Sequence, residues 1–286
     1  MKDFKEKVAV VTGAASGIGR GLAEHCAREG MKVVIADIEE PALRETEKTV
    51  KAAGADVLAV VTDVSKLKDI ETLAQKTLDA FGGVNLLFNN AGVQVGAGAG
   101  KPLWENTPAD WEWVLGVNLW GVIYGMKVFI PIMLKQNTEC HIVNTSSMAG
   151  LISEPMIVIY AVTKAGVIKL SEGLYLQLKQ MQSKIGVSVL CPAFVSSRLG
   201  DAARNRPGEF RNPPDEPVEI EQPLLSTSLR KDDWEVLSPE QCAAVVFTAI
   251  REDTFYILTH PMIKTLTKQR VDNILQGVNP EMPSFD

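Results

Sequence analysis

The chain has 286 residues, 46% of them hydrophobic and 22% charged, the balance of a packed globular protein that can bury a core without metals or disulfides. A formal charge of −6 repels phosphate backbones and argues against nucleic acid as a partner. Cys26, Cys140, Cys191 and Cys242 have neither metal-ligand nor CxxC spacing, the first residues form no apolar signal core, and no apolar run approaches the ~20 residues that cross a bilayer, so free thiols, no membrane partner and a cytoplasmic location are expected.

In chain order, short apolar runs alternate with helical patterns. Lys7 to Val11 reads as a buried strand, followed by a glycine-rich turn and an amphipathic helix from Gly17 to Glu29. Lys32 to Ala36 is a second strand ending in Asp37, and Glu40 to Ala53 is helical, with Pro41 suited to a first turn. Asp56 to Val61, Lys66 to Phe81 and Val84 to Phe88 repeat strand, helix and strand. A long helical region covers Ala109 to Leu134; His141 to Asn144 is a strand, Val158 to Met181 a long helix, and Ile185 to Leu190 a strand. Strands that are apolar throughout are buried on both faces, as in parallel sheets. Short strand–helix–strand connections give right-handed crossovers, so the expected class is α/β: a doubly wound parallel sheet in a single domain over residues 1–286.

The rhythm breaks between Ser197 and Trp234, where Pro207, Pro213, Pro214, Pro217 and Pro223 stand among many charges. So long a segment in a compact domain serves as a lid or binding loop, and residues 198–236 are read as a substrate-loop insertion. Pro239 to Arg251 (helix) and Phe255 to Leu258 (strand) close the sheet, and residues 261–286 form a C-terminal helix and tail. Gly96 to Gly100 reads as a flexible loop.

The run Thr12-Gly13-Ala14-Ala15-Ser16-Gly17-Ile18-Gly19 joins the first strand to the first helix. In that setting Gly13 permits a sharp turn, Gly17 a close approach to a pyrophosphate, and Gly19 tight helix–sheet packing. The helix start offers unpaired N–H groups and a positive dipole end to phosphates. The spacing is GxxxGxG, not GxGxxG. Asp37 closes the second strand twenty positions after Gly17, where a carboxylate accepts from both hydroxyls of an adenosine ribose and repels a 2′-phosphate. NAD is therefore the expected cofactor.

Further along the chain come Asp63-Val64 after the third strand, Asn89-Asn90-Ala91-Gly92 after the fourth, Asn118 in the long helix, Ser146-Ser147 after the fifth strand, and Tyr160-Ala161-Val162-Thr163-Lys164. With the glycine turn, and in this order, these motifs resemble the classical short-chain dehydrogenase/reductase family over residues 5–258. The resemblance implies a Rossmann-type fold, adenine contacts from Asp63 and Val64, and further cofactor contacts from Ser16, Ile18, Asn90, Ala91, Gly92, Pro192, Val195 and Ser197. Two residues depart from the family pattern: Ala193 follows Pro192 where glycine is usual, and Ser197 replaces a threonine that touches the carboxamide.

Alcohol–ketone chemistry needs a positioned acid/base. Tyr160 suits that role, although a free phenol has a pKa near ~10. Lys164, one helical turn later on the same face, is expected to pull that value down, and the resemblance gives it the nicotinamide ribose as well. Ser147, thirteen positions before the tyrosine, is expected to hold the substrate oxygen, with Ser146 as the alternative, and Asn118 to hold a proton-relay water. His25, His141 and His260 form no metal constellation, and no metal is expected, although His260 has a position from which it could face the substrate.

Loops beyond the carboxyl ends of the strands converge on the substrate. They bring Gln94, Ser153, Glu154 and Phe194 there, with Val95, Met148, Met156 and Trp104 as further candidates. Most are apolar, so a hydrophobic or aromatic alcohol or ketone is expected, Glu154 offering a grip on a polar substituent. The expected activity is NAD-dependent oxidoreduction of a small secondary alcohol or ketone. The alternatives are a non-catalytic NAD-binding regulator and an isomerase or dehydratase on the same fold. Trp111, Trp113, Leu115, Trp120 and Phe129 exceed what one helix face needs, and the resemblance implies a homodimer or homotetramer through the two long helices.

Overall fold

The computed structural model describes residues 1–95, 102–152, 155–212 and 235–281. Among them, Val8–Thr12 (β1), Lys32–Asp37 (β2), Val57–Val61 (β3), Leu86–Asn89 (β4), Cys140–Thr145 (β5), Ile185–Cys191 (β6) and Tyr256–Leu258 (β7) pair as a parallel sheet. The strand order is β3-β2-β1-β4-β5-β6-β7. The chain builds outward from β1 to β3, then returns to place β4 on the other side of β1. That reversal opens a crevice at the carboxyl ends of β1 and β4, where open α/β sheets bind ligands.

Gly17–Arg28 (α1), Glu40–Ala52 (α2) and Pro239–Arg251 (α7) cover one face; Leu67–Phe81 (α3), Gly121–Gln136 (α5) and Val158–Gln180 (α6) cover the other. Alternation divides β1 between the two cores. Ala9 and Val11 pack with Leu22, Cys26 and Phe247, whereas Val8 and Val10 pack with Leu73, Phe129 and Leu178. Both faces of β1 are thus covered, and all five of its residues are buried. All four cysteines are buried free thiols.

The expected long helix over Ala109 to Leu134 is one rod in three parts. Pro108–Leu115 (α4) is closed at its start by a reciprocal Thr107–Asp110 capping box, a π-helical turn follows over Gly116–Trp120, and α5 continues to Gln136. Wide i→i+5 turns of this kind are frequent at functional sites, and this one holds Asn118. Contrary to expectation, the rod Pro108–Gln136 is long and apolar enough to cross a bilayer by length and composition. In the fold it packs against α3, β4 and α6.

Val195 pairs with Leu237 in an isolated parallel bridge, and Leu237 N–H donates to the Phe194 carbonyl at 3.1 Å. The predicted insertion therefore leaves and rejoins the fold at one point. Its described part forms 3-10 turns over Leu199–Asn205 and Gly208–Phe210; residues 213–234, like the glycine run 96–100, lie outside the described residues. Met262–Gln276 (α8) follows β7 and seats Ile263 and Leu266 against Met148 and Ile152.

Candidate active site

A cleft of about 450 Å³ runs along the carboxyl ends of the strands, from Asp37 at one end to Tyr160 and beyond at the other. Its floor is the glycine turn. Gly17 has φ +51°, and a Cβ there would lie 2.7 Å from the Cβ of Ser197; a Cβ on Gly19 would lie 2.1 Å from the Gly13 carbonyl oxygen. Neither side chain fits, so the backbone of α1 comes up bare to the cleft. The start of α1 has no side-chain cap and no acid in its first turn. By contrast α4 and α7 both begin with capping boxes. The α1 amides and dipole are left for an outside anion, the donor set a dinucleotide pyrophosphate requires.

Thr12 and Asn90 lock this floor to the next strand. Thr12 Oγ1 donates to the Phe88 carbonyl and accepts from the Asn90 and Ala91 N–H groups, while Asn90 Nδ2 donates to the Thr12 carbonyl at 3.0 Å. Asp37 accepts from Ala15 N–H at 3.0 Å and Glu39 N–H at 2.9 Å. Burial raises its pKa, against the pull of those two hydrogen bonds. Asp63 Oδ1 accepts from the Ser65 amide and hydroxyl, and its other oxygen faces Lys66 at 3.2 Å. Ser16, Ile18, Val64, Gly92, Pro192, Val195 and Ser197 line the same cleft. Gly19 lies beneath it, packed on Gly13. Ala193 has no positive φ, so this loop needs no glycine at the position where the family usually has one.

At the inner end, α6 presents Tyr160 and Lys164 one turn apart, both buried, with the ammonium 5.4 Å from the phenol ring centroid. Lys164 Nζ donates to the Thr145 carbonyl at 2.8 Å. Burial raises the Tyr160 pKa to about 12, with hydrogen bonding to Ser147 acting the other way. Burial also lowers Lys164 to about 8. Burial is the largest influence on the phenol and outweighs the Ser147 hydrogen bond. The two serines divide cleanly. Ser146 Oγ donates to the Lys164 carbonyl at 2.7 Å, bracing α6, and Ser147 faces the phenol.

Asn118 is fully buried. Its Oδ1 accepts from Val93 N–H at 2.8 Å, and its Nδ2 donates to the Val93 carbonyl and to Thr163 Oγ1. The side chain pins the Gly92–Val93 loop to α6.

The substrate end diverges more from the sequence reading. Gln94 and Phe194 do not line the cleft. Gln94 is half-buried beyond Val93, and Phe194 packs with Met148, Ile152 and the α8 residues Ile263 and Leu266. Trp104 is 84% exposed. Ser153 and Glu154 lie outside the described residues. The lining includes Val93, Trp113, Val117, Ala202 and Phe210, together with Glu112 and Glu209. Trp113 and Phe129 are internal, not surplus interface residues. A signal for Trp113 and Val117 was present, since they stand four apart on one helical face; Ala202 and Phe210 carried none. His260 is buried and tied to Thr259 Oγ1 and the Glu235 carbonyl. Among the described residues no cluster of His, Cys, Asp or Glu could hold a metal.

Residues 7–207 match the family model for the short chain dehydrogenase. The chain is 36% identical to a CLA biosynthesis dehydrogenase/reductase of Lactiplantibacillus plantarum, covering 100% of this chain and 99% of that protein. It is 32% identical to a C alpha-dehydrogenase of Sphingobium sp., covering 98% and 89%. A short chain dehydrogenase/reductase crystal structure from Burkholderia phymatum, in complex with NAD, superposes with a TM-score of 0.89 at 44% identity, each chain covered in full.

Proposed function

The chain belongs to the short-chain dehydrogenase family of oxidoreductases, and from that premise we propose that it interconverts a secondary alcohol and a ketone with NAD, Tyr160 moving the proton. The observation that carries this reading is the convergence of the Tyr160 phenol, the Ser147 hydroxyl and the Lys164 ammonium on one buried end of a glycine-floored cleft. NAD, when bound, supplies the ring that accepts or returns the hydride. Gly17, Ser16 and Ile18 at the start of α1 would hold its pyrophosphate, Asp63 and Val64 its adenine, and Lys164 its nicotinamide ribose.

Ser147 holds the substrate oxygen beside the phenol, so that Oη of Tyr160 gives a proton to a forming alkoxide or takes one from an alcohol. Burial pushes the phenol up to about 12, so it carries its proton at neutral pH and has one to give to the more basic alkoxide. In the opposite direction the Lys164 cation stabilises the phenolate. Asn118 positions rather than reacts: by tying Val93 to Thr163 it fixes the distance between the cofactor loop and α6. The inner pocket excludes water with Trp113, Val117, Ala202 and Phe210, which favours a hydrophobic or aromatic substrate. Asp37 favours NAD over NADP, because its charge repels a 2′-phosphate; the relative from Burkholderia phymatum was solved with NAD.

A screen of NADH formation over sterols, aryl alcohols, sugars and hydroxyacyl compounds tests the proposal. Turnover of apolar secondary alcohols with NAD is expected. Tight NADH binding with no turnover across the panel would instead identify a non-catalytic binding protein. We also propose a homo-oligomer, since Trp120, Val162 and Leu176 on the long helices are 48%, 47% and 65% exposed. A light-scattering mass of one subunit would contradict it.

A further inference from the structure

Glu39 lies two residues past Asp37. Its two carboxylate oxygens hold the turn that follows Ser197. Arg198 Nη1 donates to Oε1 at 2.9 Å; Arg204 Nε and Nη2 lie 3.0 and 2.9 Å from Oε2; Asn205 Nδ2 donates to Oε2 at 3.4 Å. Arg204 Nη1 also donates to the carbonyls of Arg198 and Asp201, and Arg198 Nη2 donates to Asp201 at 3.1 Å. Arg198, Arg204 and Asn205 line the same cleft as Asp37 and Ile38. Glu39 N–H in turn donates to Asp37 Oδ1, so the two acids are joined at one corner.

That corner contains a latent contradiction. An acid at position 37 rejects a 2′-phosphate, yet two guanidiniums, the side chains best suited to gripping one, line the same end of the cleft. Among the described residues, the other cation there, Lys66, is already paired with Asp63. What the two guanidiniums do for a dinucleotide depends on who holds their donors.

Building on the reading of the cleft as a nicotinamide dinucleotide site, we propose that Glu39 is a second determinant of cofactor choice, engaging Arg198 and Arg204 and thereby withholding them from a 2′-phosphate. Asp37 repels the phosphate; Glu39 removes the contacts that would offset the repulsion. Arg204 is tied on nearly all its donors and acts as the staple of the turn. Arg198 is the more exposed of the two and makes one bond to Glu39, so it is the guanidinium released when the acid is lost. The role is one of positioning and selection, and it makes no claim on the proton chemistry at Tyr160.

The test titrates the full chain with NADH and NADPH, read by nicotinamide fluorescence, in wild type, Glu39→Gln, Glu39→Asp and Glu39→Gln/Arg198→Met. Glu39→Gln is expected to shift the NADPH-to-NADH ratio of dissociation constants about tenfold toward NADPH. Glu39→Asp keeps the charge and should retain the wild-type ratio. Adding Arg198→Met should reverse most of the shift. If Glu39→Gln weakens both cofactors alike with the ratio unmoved, Glu39 merely holds the turn and the proposal fails. It fails equally if the shift persists undiminished without Arg198, since bare charge removal then suffices. Wild type binding neither cofactor overturns the dinucleotide reading itself; wild type binding NADH with an unmoved ratio in Glu39→Gln overturns this inference alone.

Discussion

The two ends of the cleft are made of different material. The dinucleotide end is backbone: a turn without side chains at Gly13, Gly17 and Gly19, and an uncapped helix start pointing at the space above it. The inner end is side chains: Tyr160 and Lys164 from α6, Trp113 from α4, and Ala202 and Phe210 from the turns beyond Ser197. The first end is specified by steric exclusion within eight consecutive residues, the second by tertiary packing among segments far apart in the chain. Substitutions should therefore fail differently at the two ends.

The largest expected contrast is at the glycine floor. Gly17→Val puts a branched side chain where even a Cβ meets Ser197 at 2.7 Å, at φ +51°. NADH affinity should fall by about a hundredfold, measured by fluorescence titration. Retention of wild-type affinity would mean that the backbone at Gly17 does not approach the cofactor.

Next comes the buried lysine at the inner end. Burial lowers Lys164 to about 8, whereas an unfolded lysine holds its proton to about pH 10.4. Between those values the unfolded chain binds more protons than the folded one, so this group adds stability as pH rises. Lys164→Met removes the gain. From pH 8 to about pH 10 the wild type should gain on the order of 2 kcal/mol relative to the variant, read by urea unfolding. A flat difference across that range would show that the ammonium is not desolvated.

The smallest of these effects sharpens the division between the ends. Trp113→Ala should raise KM for an apolar substrate about tenfold and leave the NAD KM unchanged. An equal rise in both would mean that Trp113 shapes the dinucleotide end as well.

What was legible in the sequence follows the same division. The order of strands and helices, the glycine turn, Asp37, and the Tyr160/Lys164 pair are local patterns whose geometry is fixed by sequence spacing. Ser147 was separable from Ser146 only by spacing; their hydrogen bonds give the physical reason, one bracing α6 and the other facing the phenol. The π turn at Asn118 was not legible, because an i→i+5 turn leaves no signature in hydrophobic period, and it sends the side chain to Val93 and Thr163. Phe194 follows Pro192 at a strand end, which suggests the pocket, but its packing on α8 depends on Ile263 and Leu266, far later in the chain, which no local pattern reveals. The role of Glu39 leaves no local signature, because its partners are separated from it by 159 positions to Arg198 and 165 to Arg204.

The proton path at Tyr160 is tested most directly by Tyr160→Phe, assayed for NADH formation beside wild type at saturating NAD and alcohol. The substitution deletes one oxygen and leaves the glycine floor untouched. Turnover should drop by about a thousandfold while NADH affinity stays within about threefold of wild type. Turnover within about tenfold of wild type would contradict the assignment of the proton to this phenol.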